Sequence, residues 1–375
     1  MRILITGGGT GGHIYPALAI ANRLKEENHE ILFVGAEKAL DREIITREGF
    51  TFKSIPALPL KRRFSFFIFK FGIEFIMGFF QSFPILFNFK PRIIVGTGGY
   101  SSAPVGLAAY LLHIPLLIHE QNLYPGLTNR FLSRFAREID ITFPKSKEHF
   151  KRRKVKITGN PIREEILNLN KERALKNLKL RPRRFNLLVF GGSQGARAIN
   201  YCLAQILKKG LLEGKGLQII LLSGFFDFEY LIQAAKSSKI PLLIKPFLHN
   251  MADAYGAADL VISRAGATTL AELTACSLPA ILIPYPRATR RHQEYNARHL
   301  AKEGAVMIIL EDNLSPERLA DSILRLMADR ERLKRMRERS RGLGRPWATD
   351  RVVESIHRLA LSAEKALGQA VKKDV

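Results

Sequence analysis

Ile3-Leu4-Ile5-Thr6-Gly7-Gly8-Gly9-Thr10-Gly11-Gly12 runs from an apolar stretch into glycines, and Leu187-Leu188-Val189-Phe190-Gly191-Gly192-Ser193-Gln194-Gly195 does the same near mid-chain. Each apolar run is short and β-rich, so it reads as a buried strand ended by a glycine turn. A helix follows each turn, over Pro16–Glu27 and Ala196–Lys209. Around the first unit, strands are predicted at Ile31–Gly35, Arg92–Gly96 and Leu116–His119, with helices at Ser102–Leu112 and Leu127–Ala136. The second begins with the strand Asn186–Phe190 and continues with Gln218–Leu222, Leu242–Lys245, Leu260–Ser263 and Ala280–Pro284. Strands alternating with helices imply a parallel sheet covered on both faces. The fold class is therefore α/β, with two Rossmann-like doubly wound domains expected to face one another across a cleft. Ligands of such sheets bind beyond the carboxyl ends of the strands. A Lys- and Arg-crowded stretch over 145–185 interrupts the pattern, which places the boundary near residue 162. The expected organisation is 1–162, 163–345 and a C-terminal helical segment, 346–375.

The composition, 46% hydrophobic and 25% charged over 375 residues, is that of a globular chain long enough for two cores. Lys and Arg number 59 against 34 Asp and Glu, a formal net charge of +25. Such an excess favours polyanions in general: nucleic acid, anionic lipid or phosphorylated substrates. Because the basic residues are not interleaved with aromatics on a recognisable module, nucleic acid is not the expected partner. Cys202 and Cys276 sit in apolar helical stretches without metal-ligand neighbours, so they read as reduced core thiols of a cytosolic protein. The chain enters a strand at once from Met1, which reads as a protein that is not exported.

Backbone N–H groups at a helix N-terminus lack intrahelical partners and carry partial positive charge, so a phosphate fits there if no side chain blocks it. Gly7, Gly9 and Gly12 match G-x-G-x-x-G, and Glu37 follows the second strand. Alone, that pattern also fits an NAD(P)-dependent oxidoreductase. A third cluster, Gly96-Thr97-Gly98-Gly99-Tyr100-Ser101-Ser102, follows another strand of the same half. Three loops suit two phosphate-bearing ligands better than one dinucleotide. His13 directly follows Gly12, at the first turn of the helix, where the dipole disfavours its charged form and suits a neutral general base.

Residues 61–92 differ in texture. Lys61, Arg62 and Arg63 precede a Phe-rich run that reaches Phe89. Lys70, Glu74, Gln81 and Pro84 argue against a simple membrane span. At 100° per residue, Arg63, Lys70, Glu74 and Gln81 fall within about 40° of one another, leaving a wide apolar face. That pattern, with basic flanks, predicts an interfacial contact with an anionic membrane through Arg62, Arg63, Phe66, Phe67, Phe69, Phe79 and Phe80. Near the C-terminus, Trp347, Val352, Val353, Ile356, Leu359 and Leu361 form a partly apolar helical face. It fits either packing back on the domains or a solvated terminal helix.

In the second half, the strand ending at Ser263 is followed by small residues and a helix from Thr268. Glu272, one turn in, is placed to accept hydrogen bonds from vicinal hydroxyls such as those of a ribose, or to pair with an Arg. Pro284-Tyr285-Pro286 leads to His292-Gln293-Glu294-Tyr295-Asn296, whose amides suit sugar hydroxyls or helix capping.

The motifs Gly8-Gly9-Thr10-Gly11-Gly12-His13, Gly96–Tyr100, His119-Glu120-Gln121-Asn122, Thr158-Gly159-Asn160-Pro161-Ile162-Arg163, Gly191-Gly192-Ser193-Gln194-Gly195-Ala196-Arg197 and Arg264–Glu272 follow one another in this order. With them the chain resembles, over nearly its whole length, the MurG family within glycosyltransferase family 28. These are the UDP-N-acetylglucosamine–lipid I N-acetylglucosaminyltransferases of bacterial peptidoglycan synthesis. The resemblance implies the two-Rossmann GT-B fold and a donor site for UDP-GlcNAc in the second domain. Leu248 would lie beside the uracil, Glu272 on the ribose, and Arg163, Ser193, Gln194 and the turn Ala267, Thr268, Thr269, Leu270, Ala271 along the nucleotide. Gln293 and Asn122 would approach the sugar, and Thr10, Gly11 and Gly12 would reach in from the first domain. Lipid I would be held by Gly9, Gly98, Gly99 and Tyr100, its polyprenyl tail in the bilayer at the cytoplasmic face of the inner membrane. The implied reaction is a single inverting displacement with His13 as base and Glu120 in reserve. No D-x-D motif stands out, so no metal and no cofactor are expected. One departure is local: Arg290 and Arg291 precede His292, where the family has an acidic or amide residue.

Overall fold

The computed structural model describes residues 1–37, 39–59, 66–150, 154–192, 195–248 and 250–371. The chain divides into two compact units: Met1–Arg163 with Trp347–Val375, and Glu164–Pro346.

The first unit carries β1 (Arg2–Gly7), β2 (Glu30–Ala36), β3 (Thr51–Ile55), β4 (Ile93–Gly98), β5 (Leu116–Glu120), β6 (Glu138–Ile141) and β7 (Val155–Ile157). They form one sheet in the order β3-β2-β1-β4-β5-β6-β7, with every pairing parallel. Strand residues alternate between two cores, as a pleat requires. Ile3, Ile5, Phe33, Ile93 and Val95 enter a cluster with Ile14, Leu18 and Ala21 of the helix Gly11–Glu26. Leu4, Leu32, Val34, Ile94 and Ile118 enter the opposite cluster, with Leu86, Val105 and Leu132. Burial on both faces is why these strands are almost wholly apolar.

Strands β3, β6 and β7 escape the sequence reading. In β6 the reason is plain: Glu138 and Asp140 are fully buried inside a strand. Glu138 pairs with Lys154, Lys156 and Arg358, and Asp140 accepts from Ser355 Oγ at 3.5 Å. Burial and the neighbouring Glu138 raise the Asp140 carboxyl well above its ordinary range.

The C-terminal helix, Ala348–Val371, belongs to this first unit. Its Val352, Val353, Ile356 and Ala360 are buried in the same cluster as Ile14 and Leu18. Packing, not solvation, is therefore its state, although Leu361 stays exposed.

The Phe-rich segment forms one helix, Phe66–Phe89. Phe79, Phe83, Ile85 and Leu86 turn to the core, whereas Phe69, Ile73, Ile76, Phe80 and Phe87 are exposed. Phe79, expected on the outer face, instead packs inward; Phe69 and Phe80 do face outward. Arg62 and Arg63 lie outside the described residues, as do the side chains of Phe66 and Phe67. Among the described residues, Ile68–Phe89 is the one helix long and apolar enough to cross a membrane, with mean hydropathy 1.3.

The second unit repeats the plan with β8 (Phe185–Phe190), β9 (Leu217–Leu222), β10 (Leu242–Lys245), β11 (Leu260–Ser263), β12 (Ala280–Leu282) and β13 (Val306–Ile308). Their order is β10-β9-β8-β11-β12-β13, again all parallel. Counted from each unit's first strand, the second sheet runs 3-2-1-4-5-6, the doubly wound order, and the first runs the same with a seventh strand beside the sixth. The winding reverses between β1 and β4 in one unit and between β8 and β11 in the other. The glycine loops follow these strands.

Candidate active site

In the first unit, β1 and β4 deliver two glycine loops side by side. Gly8 N–H donates to Gly98 O at 3.3 Å, and Gly8, Gly9, Gly98 and Gly99 all have positive φ. A Cβ on Gly99 would stand 2.3 Å from Gly8 O, and one on Gly9 would stand 2.9 Å from the Tyr100 ring. Glycine is demanded here by close approach and by backbone conformation together. Asp41, 2% exposed, accepts from Gly9 N–H at 2.6 Å. That N–H, expected to meet a diphosphate, is thus already engaged by a carboxylate. Gly12 differs: at the helix N-terminus, a Cβ there would meet nothing closer than 3.7 Å.

His13 is half-buried, its ring against Gly98, where a Cβ would come within 2.9 Å of Cε1. Its Nδ1 lies 2.9 Å from Thr97 O and 3.1 Å from Gln121 Oε1. Gln121 Nε2 donates to Thr97 O at 2.7 Å, which settles the amide orientation, because a carbonyl oxygen needs a donor. The same Nε2 donates to His119 Nδ1 at 3.2 Å, and His119 Nε2 donates to Gly159 O at 2.8 Å. The protons are then assigned throughout. His13 carries its hydrogen on Nδ1, facing two oxygens, and Nε2 is left as the basic nitrogen. Burial lowers the His13 pKa and takes that of fully buried His119 down to about 4, so both rings are neutral at pH 7.

Glu120 is also buried, at 1% exposure. Its carboxylate accepts from Asn122 N–H (2.9 Å), Asn122 Nδ2 (3.3 Å), Gly126 N–H (3.1 Å) and Asn129 Nδ2 (2.9 Å). Burial raises its pKa, and these four donors oppose the rise. The side chain folds the loop between β5 and the helix Leu127–Leu132, and its oxygens face that loop. Arg163 belongs to this unit and stands over the ring of Tyr15 at 5.3 Å.

In the second unit, the turn after β11 leads into the helix Ala267–Ala275, capped by Gly266. Ala267, Thr268 and Leu270 are buried, and Thr269 and Ala271 are half-buried. Glu272, 6% exposed, accepts from Tyr255 Oη at 2.7 Å. Arg264 pairs with Glu311 and donates to Ile283 O at 3.1 Å, bracing the turn from behind. Gln293 Oε1 accepts from Ala265 N–H (3.2 Å) and Tyr285 N–H (3.0 Å), tying two loops together at the carboxyl edge of the sheet. Half-buried Leu248 follows β10 at that same edge. Ser193 and Gln194 lie outside the described residues, but their neighbour Gly192 has φ +95° and, among the described residues, nothing within 4 Å of a Cβ. Arg290 and Arg291 both adopt left-handed backbone, with φ 54° and 53°, and Arg291 lies within 4.0 Å of Glu294.

Residues 3–141 match the glycosyltransferase family 28 N-terminal domain, and residues 186–352 match the family's C-terminal domain. The chain belongs to glycosyltransferase family 28. Among its family 28 relatives, a Halothermothrix orenii protein is 46% identical over 95% of this chain and 98% of its own length. A Desulforamulus reducens protein is 43% identical over 96% and 99%. Both are named UDP-N-acetylglucosamine–N-acetylmuramyl-(pentapeptide) pyrophosphoryl-undecaprenol N-acetylglucosamine transferase. The crystal structure of Acinetobacter baumannii MurG superposes with a TM-score of 0.76 at 29% identity, covering 95% of this chain and 99% of that one. The calicheamicin glycosyltransferase CalG4, at 15% identity and TM-score 0.66 over 96% and 98% of the two chains, shares the fold alone.

Sequence reasoning missed Asp41 and Tyr255, and gave Thr97 and Gln121 no role. For Thr97 and Gln121 a signal existed, their places within Gly96–Tyr100 and His119–Asn122; Asp41 and Tyr255 touch the site through distant parts of the chain.

Proposed function

We propose that this family 28 enzyme transfers GlcNAc from UDP-GlcNAc to the 4-hydroxyl of MurNAc in undecaprenyl-pyrophosphoryl-MurNAc-pentapeptide, lipid I, giving lipid II for peptidoglycan. The observation that carries this is the 46% identity, over 95% of the chain, to a transferase of that name. His13 is the general base: its hydrogen sits on Nδ1, so Nε2 takes the acceptor's hydroxyl proton. The oxygen of that hydroxyl then bonds to C1 of GlcNAc as the C1–O bond to UDP breaks, with inversion. The negative charge left on UDP is met by backbone N–H groups at helix N-termini. Glu120, closed in its own loop, holds Asn122 and Asn129 in place.

The donor reading rests on the second unit. Buried Glu272 suits the ribose hydroxyls, the turn Ala267–Ala271 the phosphates, Leu248 the uracil and Gln293, through its NH2 end, the sugar. Gly192 leaves room for backbone approach. Arg163, Thr10, Gly11 and Gly12 line the first unit's share. Lipid I takes the loops at Gly98, Gly99 and Tyr100. The exposed face of Phe69, Ile73, Ile76, Phe80 and Phe87 meets the headgroup boundary of an anionic membrane, so the enzyme works as a peripheral protein at the cytoplasmic face.

The test is direct. Purified protein with labelled UDP-GlcNAc and detergent-solubilised lipid I should place the label in the lipid fraction and raise Tm with UDP but not with NAD. Absence of lipid label with an active acceptor preparation would sink the reading.

A further inference from the structure

Far from the glycine loops, the helix Gly11–Glu26 ends in a tight turn. Glu27 N–H and His29 N–H both donate to Leu24 O, at 3.2 Å each. Between them Asn28 takes φ 60°, a left-handed conformation that asparagine tolerates. The left-handed residue folds Glu27 and His29 back toward one another just before β2. The C-terminal helix supplies a third group. With Val353, Ile356 and Ala360 buried against the sheet's helix layer, His357 is set over this turn. His13 and this turn sit at opposite ends of one helix, roughly 20 Å apart at 1.5 Å per residue.

Three atoms converge. His357 Nε2 lies 2.9 Å from Glu27 Oε2 and 3.1 Å from His29 Nε2, and His29 Nε2 lies 3.5 Å from Glu27 Oε2. All three side chains are partly buried, between 17% and 34% exposed. The rings meet edge to face, with centroids 5.3 Å apart and the two Nε2 atoms 3.1 Å from each other. Met1 N stands 3.1 Å from His29 Nδ1, and an ammonium can only donate, so without a cation His29 carries its hydrogen on Nε2. That hydrogen and the one His357 Nε2 needs for Glu27 then face each other across 3.1 Å. A divalent cation removes the conflict by accepting all three lone pairs, with the hydrogen of His29 moved to Nδ1 and Met1 as a neutral amine accepting it. Bonds of about 2.0–2.1 Å in tetrahedral geometry put ligand atoms about 3.3 Å apart, and the three observed separations straddle that value. Arg23 holds the other carboxylate oxygen of Glu27 at 3.0 Å, the kind of support that orients a ligand.

We propose that His29 and His357 through Nε2, and Glu27 through Oε2, form a site for a zinc-class divalent cation, with solvent as the fourth ligand. Two imidazoles and one carboxylate suit zinc, cobalt or nickel, not magnesium or calcium. The site ties the C-terminal helix to the turn before β2, a structural clip separate from the transfer chemistry.

Tag-free full-length protein, stripped with chelator, is titrated with Co2+ alone and then with Zn2+. One equivalent of Co2+ should give the visible absorption of a four-coordinate ion, which Zn2+ displaces. Zn2+ but not Mg2+ should raise Tm. His357→Ala should abolish stoichiometric binding, and Glu27→Gln, which keeps the side-chain shape, should weaken it at least ~10–100-fold, the cost of an outer-ligand change alone. Lipid labelling without added metal should persist in Glu27→Gln. No stoichiometric binding by the parent protein, or equal binding by Glu27→Gln and the parent, overturns the proposal. Should His357→Ala fail to fold, Glu27→Gln carries the comparison.

Discussion

The two glycine-loop regions share a strand order yet use their glycines differently. In the first unit, a Cβ at Gly7, Gly8, Gly9, Gly98 or Gly99 would come within 3.0 Å of the protein's own atoms. Those glycines let two loops, a tyrosine and a histidine occupy one small volume. In the second unit Gly191 and Gly195 are equally crowded, but among the described residues Gly192 has nothing within 4 Å of its Cβ position. The same motif thus brackets side chains in one unit, while in the other Gly192 stands clear of the described residues. A glycine after a strand marks close approach, and only the neighbours say by what.

Four comparisons test this division. The largest effect belongs to His13→Ala, which should lower kcat by ~10²–10⁴-fold while the affinity for UDP, measured by calorimetry, stays within a few-fold. A variant with near-normal turnover would remove His13 from the mechanism.

Next comes acid. Burial holds the His119 pKa at about 4 in the folded protein, against 6.5 for an ordinary histidine. The unfolded chain therefore binds more protons between these values, and stability falls as pH drops from about 6.5 toward 4. At 1.36 kcal/mol per unit the loss from this residue is about 3 kcal/mol. His119→Gln should flatten that part of the acid dependence in urea melts at pH 4.5 and 7. An unchanged slope would mean that His119 does not govern it.

In the second unit, Glu272→Gln should weaken UDP-GlcNAc binding by roughly 10–100-fold, the value of a charged hydrogen bond, with little change in kcat. A fall in kcat at constant KM would place Glu272 in the chemistry instead.

The finest comparison is between two glycines. Gly98→Ala and Gly192→Ala share a backbone penalty of about 1–3 kcal/mol, since both have positive φ. Gly98→Ala also pushes on His13, so kcat should drop; Gly192→Ala should instead raise KM for the donor. If both variants change the same parameter, the division between the units fails.

Much of this architecture is legible in the amino-acid sequence. The apolar runs of β1, β4, β5, β8, β9 and β11 announce buried parallel strands because both of their faces are covered. The glycine turns and His13 stand out because few other functions explain them. Strand β6 is not legible, because Glu138 and Asp140 look like surface residues until Arg358, more than two hundred positions away, comes to pair with one of them. The Phe-rich helix shows one wide apolar face in its sequence pattern. In the fold that face is two, with Phe79 inward and Phe80 outward, since the core takes one side of an all-round apolar helix.

The sequence by itself determined the two doubly wound sheets, because hydrophobic period and glycine turns are local signals. Tertiary structure alone decided which nitrogen of His13 is basic, since Thr97 and Gln121 reach it from two other strands' ends. It also decided that Asp41 occupies the Gly9 N–H, and that the C-terminal helix brings His357 to Glu27 and His29. Proton positions and ligand sets depend on distances of a few ångströms between remote segments, and no period or spacing along the chain encodes those.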